Sequence, residues 1–212
     1  MTRTTLTRAP EKASTDRDAL NALIDDVRIG HFGLTAEDGH PLVIPAAIVR
    51  DGERILTHGS AGAGWRRRLA QGAPVCVTIT ALDGVKIGRS AFESGLHFRS
   101  AVLFGVCQVV DGEDKRRAID LITEAFIPGR IAEVRAHKKK ELAATQVLAL
   151  PIAEWSLKIS HAWPDDAPGD VAGDAWAGVV PLLTSHGAAI PVPDLRPGIP
   201  VPPSVRKLTD AG

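Results

Sequence analysis

The sequence predicts a mainly β protein with flanking helices, in which six antiparallel strands close into a barrel. Six short runs rich in β-branched and aromatic residues follow one another between residues 31 and 110. Three Asp-Gly pairs, which favour tight hairpin turns, lie among these runs. Most connections are too short for the crossover helix that a parallel sheet requires. Together, these features favour an antiparallel meander that closes on itself.

Each predicted element has a local reason. A first helix begins where Ser14 or Thr15 can cap it and ends at Gly30. The six predicted strands cover residues 31–35, 42–49, 55–58, 75–82, 85–90 and 101–110. Further helices are predicted at 65–71, 114–127 and 133–144, and the final strands at 147–151 and 155–160.

Composition divides the chain of 212 residues into three parts. Residues 1–13 are polar and form an N-terminal arm, and residues 14–161 form the barrel domain. Residues 162–212 form a tail rich in Pro and Gly. Within this tail the apolar patch at 175–182 is predicted to pack, either on its own barrel or on a partner subunit.

Charge and composition exclude several classes of function. Lys and Arg total 25, as do Asp and Glu, so no global field draws the chain to nucleic acid or to a membrane surface. No apolar run approaches the roughly 20 residues of a membrane span, and no signal peptide is evident, which predicts a cytoplasmic protein. The two cysteines, Cys76 and Cys107, are predicted to be reduced and buried. Scattered histidines predict no metal site.

The strongest candidate for a ligand site lies between Arg54 and Arg68. A short strand leads into a turn with Gly59, Gly62 and Gly64, and three consecutive arginines follow at the start of a helix. Free backbone N–H groups, a helix N-terminus and guanidinium groups all favour a phosphate. The alternative is a surface turn with solvated arginines, which the residue types favour equally.

Other polar residues allow both a functional and a structural interpretation. Arg99 and Ser100 can face a ligand, although an Arg more commonly pairs with a carboxylate. His58 can hydrogen-bond a phosphate or be structural, and Ser60 is better placed as a phosphate donor than as a nucleophile. The lack of a general base or a metal favours a protein that positions a redox cofactor.

Six segments together resemble the pyridoxamine 5'-phosphate oxidase-related family of FMN-binding split barrels, close to the nitroimidazole-resistance proteins. They span residues 10–182 and agree with the family in order and spacing. They read PEKASTDRDALNALID, LVIPAAIVRDGERILTHGS, WRRRLAQGAPVCVTITALDG, GRSAFESGLHFRSAVLFG, IPGR and AWAGVVPL.

This resemblance implies a six-stranded antiparallel split barrel, acting as a homodimer with FMN in a groove between subunits. Ile44, Pro45 and Ala46 would then present backbone to the flavin ring. The other implied cofactor contacts are His58, Gly59 and Ser60 under the phosphate, Arg67 paired with it, Val77 and Thr78 beside the cofactor, Arg99 and Ser100 facing the ring, and Trp176 over the site.

The chain departs from the family at the phosphate turn. Close relatives usually read His-Gly-Ser-x-x-Ser-Arg, whereas this chain has Ala63 and Gly64 where Ser and Arg are expected. Loss of a charged hydrogen bond weakens binding by about 1.5–3 kcal/mol. Arg66 and Arg68 are the residues expected to compensate.

Two functions of different classes follow from the resemblance. The first is an FMN-dependent oxidoreductase that acts on a small molecule, with the flavin supplying the chemistry. The second is a non-catalytic protein that holds a flavin or heme for storage, sensing or detoxification. Reduction of nitro groups is a further possibility that rests on analogy of fold alone.

Overall fold

Two antiparallel sheets carry the fold in the computed structural model, which describes residues 2–210. The larger sheet has the strand order β1-β10-β7-β6-β2-β3, with β11 paired to β6, and the smaller has the order β4-β5-β9-β8. The mainly antiparallel architecture with flanking helices confirms the predicted fold class. The expectation of one closed sheet is wrong, because the strands are divided between two sheets.

The elements follow the chain in a regular alternation of hairpins and helices. The strands are β1 (Ala13–Ser14), β2 (Ile29–Thr35), β3 (Pro41–Ala47), β4 (Val49–Asp51), β5 (Arg54–Ser60), β6 (Pro74–Ile87), β7 (Gly95–Val106), β8 (Gln108–Val110), β9 (Thr145–Pro151), β10 (Glu154–Ser160) and β11 (Gly178–Pro181). The helices are α1 (Arg17–Val27), α2 (Gly64–Ala70), α3 (Gly112–Phe126), α4 (Lys139–Ala144), α5 (Pro168–Val171) and α6 (Pro203–Asp210), and two 3-10 turns lie at Pro10–Lys12 and Ile131–Glu133.

The apolar core has two parts, one on each side of the smaller sheet. The larger part contains Phe32, Val77, Leu103 and Leu148, all fully buried, together with the apolar face of α1. The smaller part lies under α3, where residues such as Ile122 pack on β5 and β9. Both cysteines are free thiols. Cys107 is buried as predicted, whereas Cys76 is only half-buried.

The third Asp-Gly pair, Asp83-Gly84, does not form the predicted hairpin turn. β6 runs without a break from Pro74 to Ile87, and its register with β7 shifts between Leu82 and Gly84. Asp83 therefore lies at a β-bulge, and the hairpin turn follows at residues 88–94. The other two pairs turn as predicted, with Gly39 at φ 85° and Gly52 at φ 60°.

Several helix boundaries also differ from the prediction. Asp16, not Ser14 or Thr15, caps α1 by accepting from the backbone N–H groups of Asp18 and Ala19. The helix ends at Arg28 in the left-handed region (φ 54°), so Gly30 is free to enter β2. The predicted helix at 133–144 is reduced to α4, and α6 in the tail was not predicted.

The tail lies against the rest of the chain at several places. β11 pairs with β6, with Val179 opposite Lys86. The buried carboxylate of Asp166 accepts from the Arg89 backbone at 2.7 Å and from its guanidinium at 2.9 Å. Ser204 at the start of α6 donates its backbone N–H to Glu133 at 2.9 Å. Within residues 2–210, no helix has the length and apolar character to cross a bilayer.

Candidate flavin-nucleotide site

The turn between β5 and α2 is organised around the buried guanidinium of Arg66, which is 4% exposed. Its Nη2 donates to the carbonyl of His58 at 2.6 Å and to the hydroxyl of Thr57 at 3.2 Å. The guanidinium carbon lies 4.4 Å from the centroid of the Trp65 ring. Arg66 therefore fastens α2 to β5.

Gly59 makes room for this guanidinium. A Cβ at residue 59 would lie 2.7 Å from Nε of Arg66, which is shorter than real contacts allow. The guanidinium of Arg66 therefore covers Gly59 on this side, where the sequence predicted a phosphate. Nη2 of Arg66 donates inward to β5, while its Nη1 is buried without a hydrogen-bond partner in the described part of the chain, so compensation by Arg66 for Ala63 and Gly64 stays a prediction.

Arg67 and Arg68 face a different region, a surface cleft of about 470 Å³ between α2 and the β2–β3 turn. Among residues 2–210, neither arginine forms an ion pair, and Nε of Arg68 is buried without a hydrogen-bond partner. The cleft is lined by Ala36, Glu37, Asp38, Leu42, Gly64, Trp65, Arg67 and Arg68. Two unpaired guanidinium groups in a concave surface can hold a phosphate or diphosphate.

The predicted ring contacts lie further along β3, the edge strand of the larger sheet. Ile44, Pro45 and Ala46 pair with β2 on one side only, which leaves one row of backbone groups available to a ligand. Leu42 of the same strand lines the cleft. At about 3.3 Å per residue, Ala46 lies about 13 Å along β3 from Leu42, so a single elongated ligand could contact both.

Two further predicted contacts belong to opposite faces of the same sheet. Thr78 of β6 is half-buried on the outer face and lies opposite His31 of β2, which on its other side lies opposite Pro45 of β3. Val77 lies opposite Phe32 and is 0% exposed. Its side chain therefore belongs to the core and cannot reach a ligand.

His58 and Ser60 have little direct contact with the cleft. Burial, followed by the charge of Arg66, lowers the pKa of His58 below its usual value of 6.5, so the imidazole is neutral at pH 7. Its Nδ1 is buried without a partner in the described part of the chain. Ser60 is exposed and accepts from the backbone N–H of Gly62 at 3.2 Å. A neutral His58 cannot supply positive charge to a phosphate.

Arg99 pairs with carboxylates, which is the structural role that the sequence left open as an alternative to ligand binding. Its guanidinium donates to Asp83 at 2.9 Å and to Asp26 at 2.8 Å, and these carboxylates raise its pKa. Ser100 lies 3.3 Å from the hydroxyl of Thr80 on the outer face of the sheet. The predicted approach of Arg99 to a flavin ring stays a prediction, since in this structure its guanidinium is held by two carboxylates.

Trp176 lies on the tail just before β11 and is 65% exposed. Its ring covers Gly178, where a Cβ would lie 2.6 Å from a ring carbon. The side chain therefore lies flat over the tail backbone and is not among the residues that line the cleft.

Sequence reasoning missed the acidic side of the cleft. Glu37 and Asp38 come from the β2–β3 turn, about 30 residues before the arginines; Asp38 was predicted only as a turn residue, and Glu37 was not singled out. The signal that could have found them is the hairpin itself, because an Asp-Gly turn projects the residues around it beyond the sheet edge. Among residues 2–210, no cluster of His, Cys, Asp and Glu has the arrangement of a metal site.

Comparison with known proteins identifies the family. Residues 16–159 match the family described as pyridoxamine 5'-phosphate oxidase, which is more than half of the chain. The chain therefore belongs to the pyridoxamine 5'-phosphate oxidase family, whose split-barrel fold it shares. A search of curated proteins found no match.

Two solved structures resemble the chain over almost its whole length. The FAD and heme binding protein from Mycobacterium smegmatis is 50% identical, with a TM-score of 0.89 over 93% of this chain and 97% of that one. The flavocytochrome Anf3 from Azotobacter vinelandii is 31% identical, with a TM-score of 0.90 over 98% and 97%. A nitroimidazole-resistance protein from Bacteroides thetaiotaomicron, 19% identical with a TM-score of 0.59 over 69% and 86%, shares the fold.

Proposed function

We propose that this protein binds a flavin nucleotide and acts as a flavin-dependent redox protein on a small molecule. The observation that carries the proposal is the pair of unpaired guanidinium groups of Arg67 and Arg68, in a cleft that includes Leu42 of the edge strand β3. Anionic phosphates and a planar ring are the two parts of a flavin nucleotide, and this surface offers a place for each.

The flavin proposed is FAD, although the resemblance predicted FMN. The relative from M. smegmatis, with 50% identity over 93% of this chain, is named for FAD. Arg67 and Arg68 would hold the phosphates, with Leu42 and Trp65 as the apolar wall. The backbone of β3 would position the ring. When bound, the flavin supplies hydride and single-electron transfer, while the chain supplies position and electrostatics.

The arginines give the proposal a direct test. Arg67→Gln and Arg68→Gln each remove one charged contact, so the Kd for FAD should rise about tenfold or more in each variant. Arg8→Gln is the matched control, because Arg8 is exposed in the N-terminal arm. Equal Kd values for all three variants and the wild type would contradict the site. Oxidation of a reduced nicotinamide by the FAD-loaded protein would support the redox activity.

A second candidate function is a non-catalytic carrier of flavin or heme. Two observations favour it. Two titratable groups among the predicted cofactor contacts are engaged or neutral, since Arg99 is paired with two carboxylates and His58 is uncharged. The two solved structures that match almost the whole chain are named as a heme-binding protein and as a flavocytochrome. Stoichiometric flavin without turnover of any electron donor, or a heme absorption band after addition of hemin, would support this alternative.

We also propose a homodimer, as the resemblance implied. The tail exposes large apolar side chains to solvent in the single chain, among them Trp163 at 72%, Leu183 at 90% and Ile190 at 91%. Surfaces of this kind favour burial against a partner, and a second copy presents the same apolar surface in return.

A further inference from the structure

The cleft beside α2 carries charges of both signs, and a phosphate explains only half of them. Arg67 and Arg68 line one side, and Glu37 and Asp38 line the other. Within residues 2–210, no ion pair joins the two sides. We propose that this cleft binds the adenosine-diphosphate end of FAD, with Glu37 accepting hydrogen bonds from the ribose hydroxyls.

The arginines fit a diphosphate better than a single phosphate group. Arg67 is exposed at the mouth of the cleft, while Arg68 is half-buried, with its Nε buried and unpartnered. A buried donor without a partner costs free energy that a bound anion can recover. Two guanidinium groups at different depths can each contact one phosphate of a diphosphate.

The acidic side fits a ribose. Glu37 is exposed, makes no hydrogen bond in the described chain, and as a carboxylate can only accept. Asp38 is less free, because its Oδ1 accepts from the backbone N–H of His40 at 3.1 Å within the turn. Carboxylates hydrogen-bond the ribose hydroxyls of dinucleotides in other folds for the same chemical reason. Glu37 is therefore the free acceptor of the cleft.

The same carboxylate distinguishes FAD from FMN. FMN ends at its phosphate. With FMN bound, the Glu37 carboxylate would therefore have no hydroxyl donor and would face only the negatively charged phosphate. In FAD a second phosphate and a ribose follow, and the ribose offers two hydroxyl donors to the carboxylate. The volume of about 470 Å³ lies within the range of about 300–1,000 Å³ that small-molecule sites occupy.

The flavin ring has a separate place along the same strand. The predicted ring contacts at residues 44–46 lie two to four residues beyond Leu42, or about 7–13 Å along β3. The ring and the nucleotide end of one ligand would therefore lie at different positions along β3. This inference rests on the proposed flavin binding, since it assigns one end of that ligand.

The test compares three probes on the apoprotein: FAD, FMN and ADP. Glu37→Gln keeps the size of the side chain but removes its charge, and Glu11→Gln is the control, because Glu11 is exposed in the N-terminal arm. In the wild type, ADP should compete with FAD. Glu37→Gln should weaken FAD and ADP about tenfold. The same substitution should not weaken FMN and should strengthen it if the phosphate lies close to residue 37, because a like charge is removed. Glu11→Gln should change none of the three affinities.

The outcomes separate this inference from the proposed function. Equal effects of Glu37→Gln on FAD and FMN, or no effect on either, would overturn the assignment of the ribose site while flavin binding stands. Failure of ADP to bind the wild type would also overturn it. Absence of any flavin binding would overturn the proposed function, and direct titration of ADP would still decide whether the cleft holds a nucleotide.

Discussion

Three adjacent arginines with different surroundings show how single residues build this site. Successive residues of a helix are about 100° apart, so Arg66, Arg67 and Arg68 cannot share one face. Arg66 points into the protein and is buried, whereas Arg67 and Arg68 line the cleft. The buried member orients the helix and the other two remain available to a ligand.

Gly59 is the residue on which this arrangement depends. In Gly59→Ala the new methyl group would lie 2.7 Å from Nε of Arg66, so the buried guanidinium must shift and its hydrogen bonds to β5 are weakened. We expect a loss of unfolding free energy of about 1–3 kcal/mol, measured by urea denaturation. In the control Gly62→Ala, the nearest neighbour lies 3.5 Å away, and stability should change little. Equal stabilities of the two variants would contradict this role.

At the scale of elements, the bulge in β6 joins the tail to the barrel. Asp83 at the bulge accepts from Arg99 of β7 at 2.9 Å and from His161 at the start of the tail at 3.1 Å. Its backbone carbonyl accepts from the N–H of Leu182, just beyond β11. One irregular residue thus connects β7, the entrance to the tail and the end of β11.

This carboxylate should make stability depend on pH. The hydrogen bond from Arg99 lowers the pKa of Asp83 below 3.8, and that from His161 adds to the shift. Because the pKa is lower in the folded state, the stabilisation is full at neutral pH and is lost as the pH falls through the folded-state pKa. Asp83→Asn should cost about 1–3 kcal/mol of unfolding free energy at pH 7.

The measurement is the unfolding free energy of both proteins between pH 2.5 and pH 7, in steps of about half a unit. The difference between wild type and Asp83→Asn should shrink toward acid. A difference that stays constant over this range would show that Asp83 acts through its size and not through its charge.

Prediction from sequence succeeded where local chemistry decides the structure. The hairpin turns at Gly39 and Gly52, and helix α3, follow from residues close in the chain. The pair Asp83-Gly84 has the same composition as the two turns, but its conformation depends on pairing with β7 and with β11, nearly 100 residues later.

The candidate site, like the fold, was predicted from sequence only where residues close in the chain determine it. Arg67 was predicted at a phosphate, and it does line the cleft that supports the proposal. Arg99 was harder to place, because its partner Asp26 lies 73 residues away. Glu37 was missed, since only the folded hairpin brings it beside the arginines.

At the scale of the whole molecule, the tail has the form of a long arm held at both ends. It is fixed by β11 at Pro181 and again by Ser204 on Glu133. Between these points lie exposed apolar residues, including Leu183 and Ile190. In a dimer, such an arm would lie across the second copy.

Charge on the arm should therefore separate the subunits. Leu183→Asp and Ile190→Asp place a carboxylate where apolar burial is proposed, so each should shift the protein from dimer to monomer in light scattering after size exclusion. Val134→Asp is the control, an exposed apolar residue outside the tail that is 42% exposed. A wild type that is monomeric at micromolar concentration would contradict the proposed dimer.

The central claim is that this chain holds FAD, and it is tested most directly by the absorption spectrum of the purified protein before and after loading. The protein is saturated with FAD or with FMN, excess ligand is removed by gel filtration, and the retained flavin is released and identified. The account predicts about one FAD per chain and much less FMN. Retention of FMN in preference to FAD, or of no flavin, would contradict it.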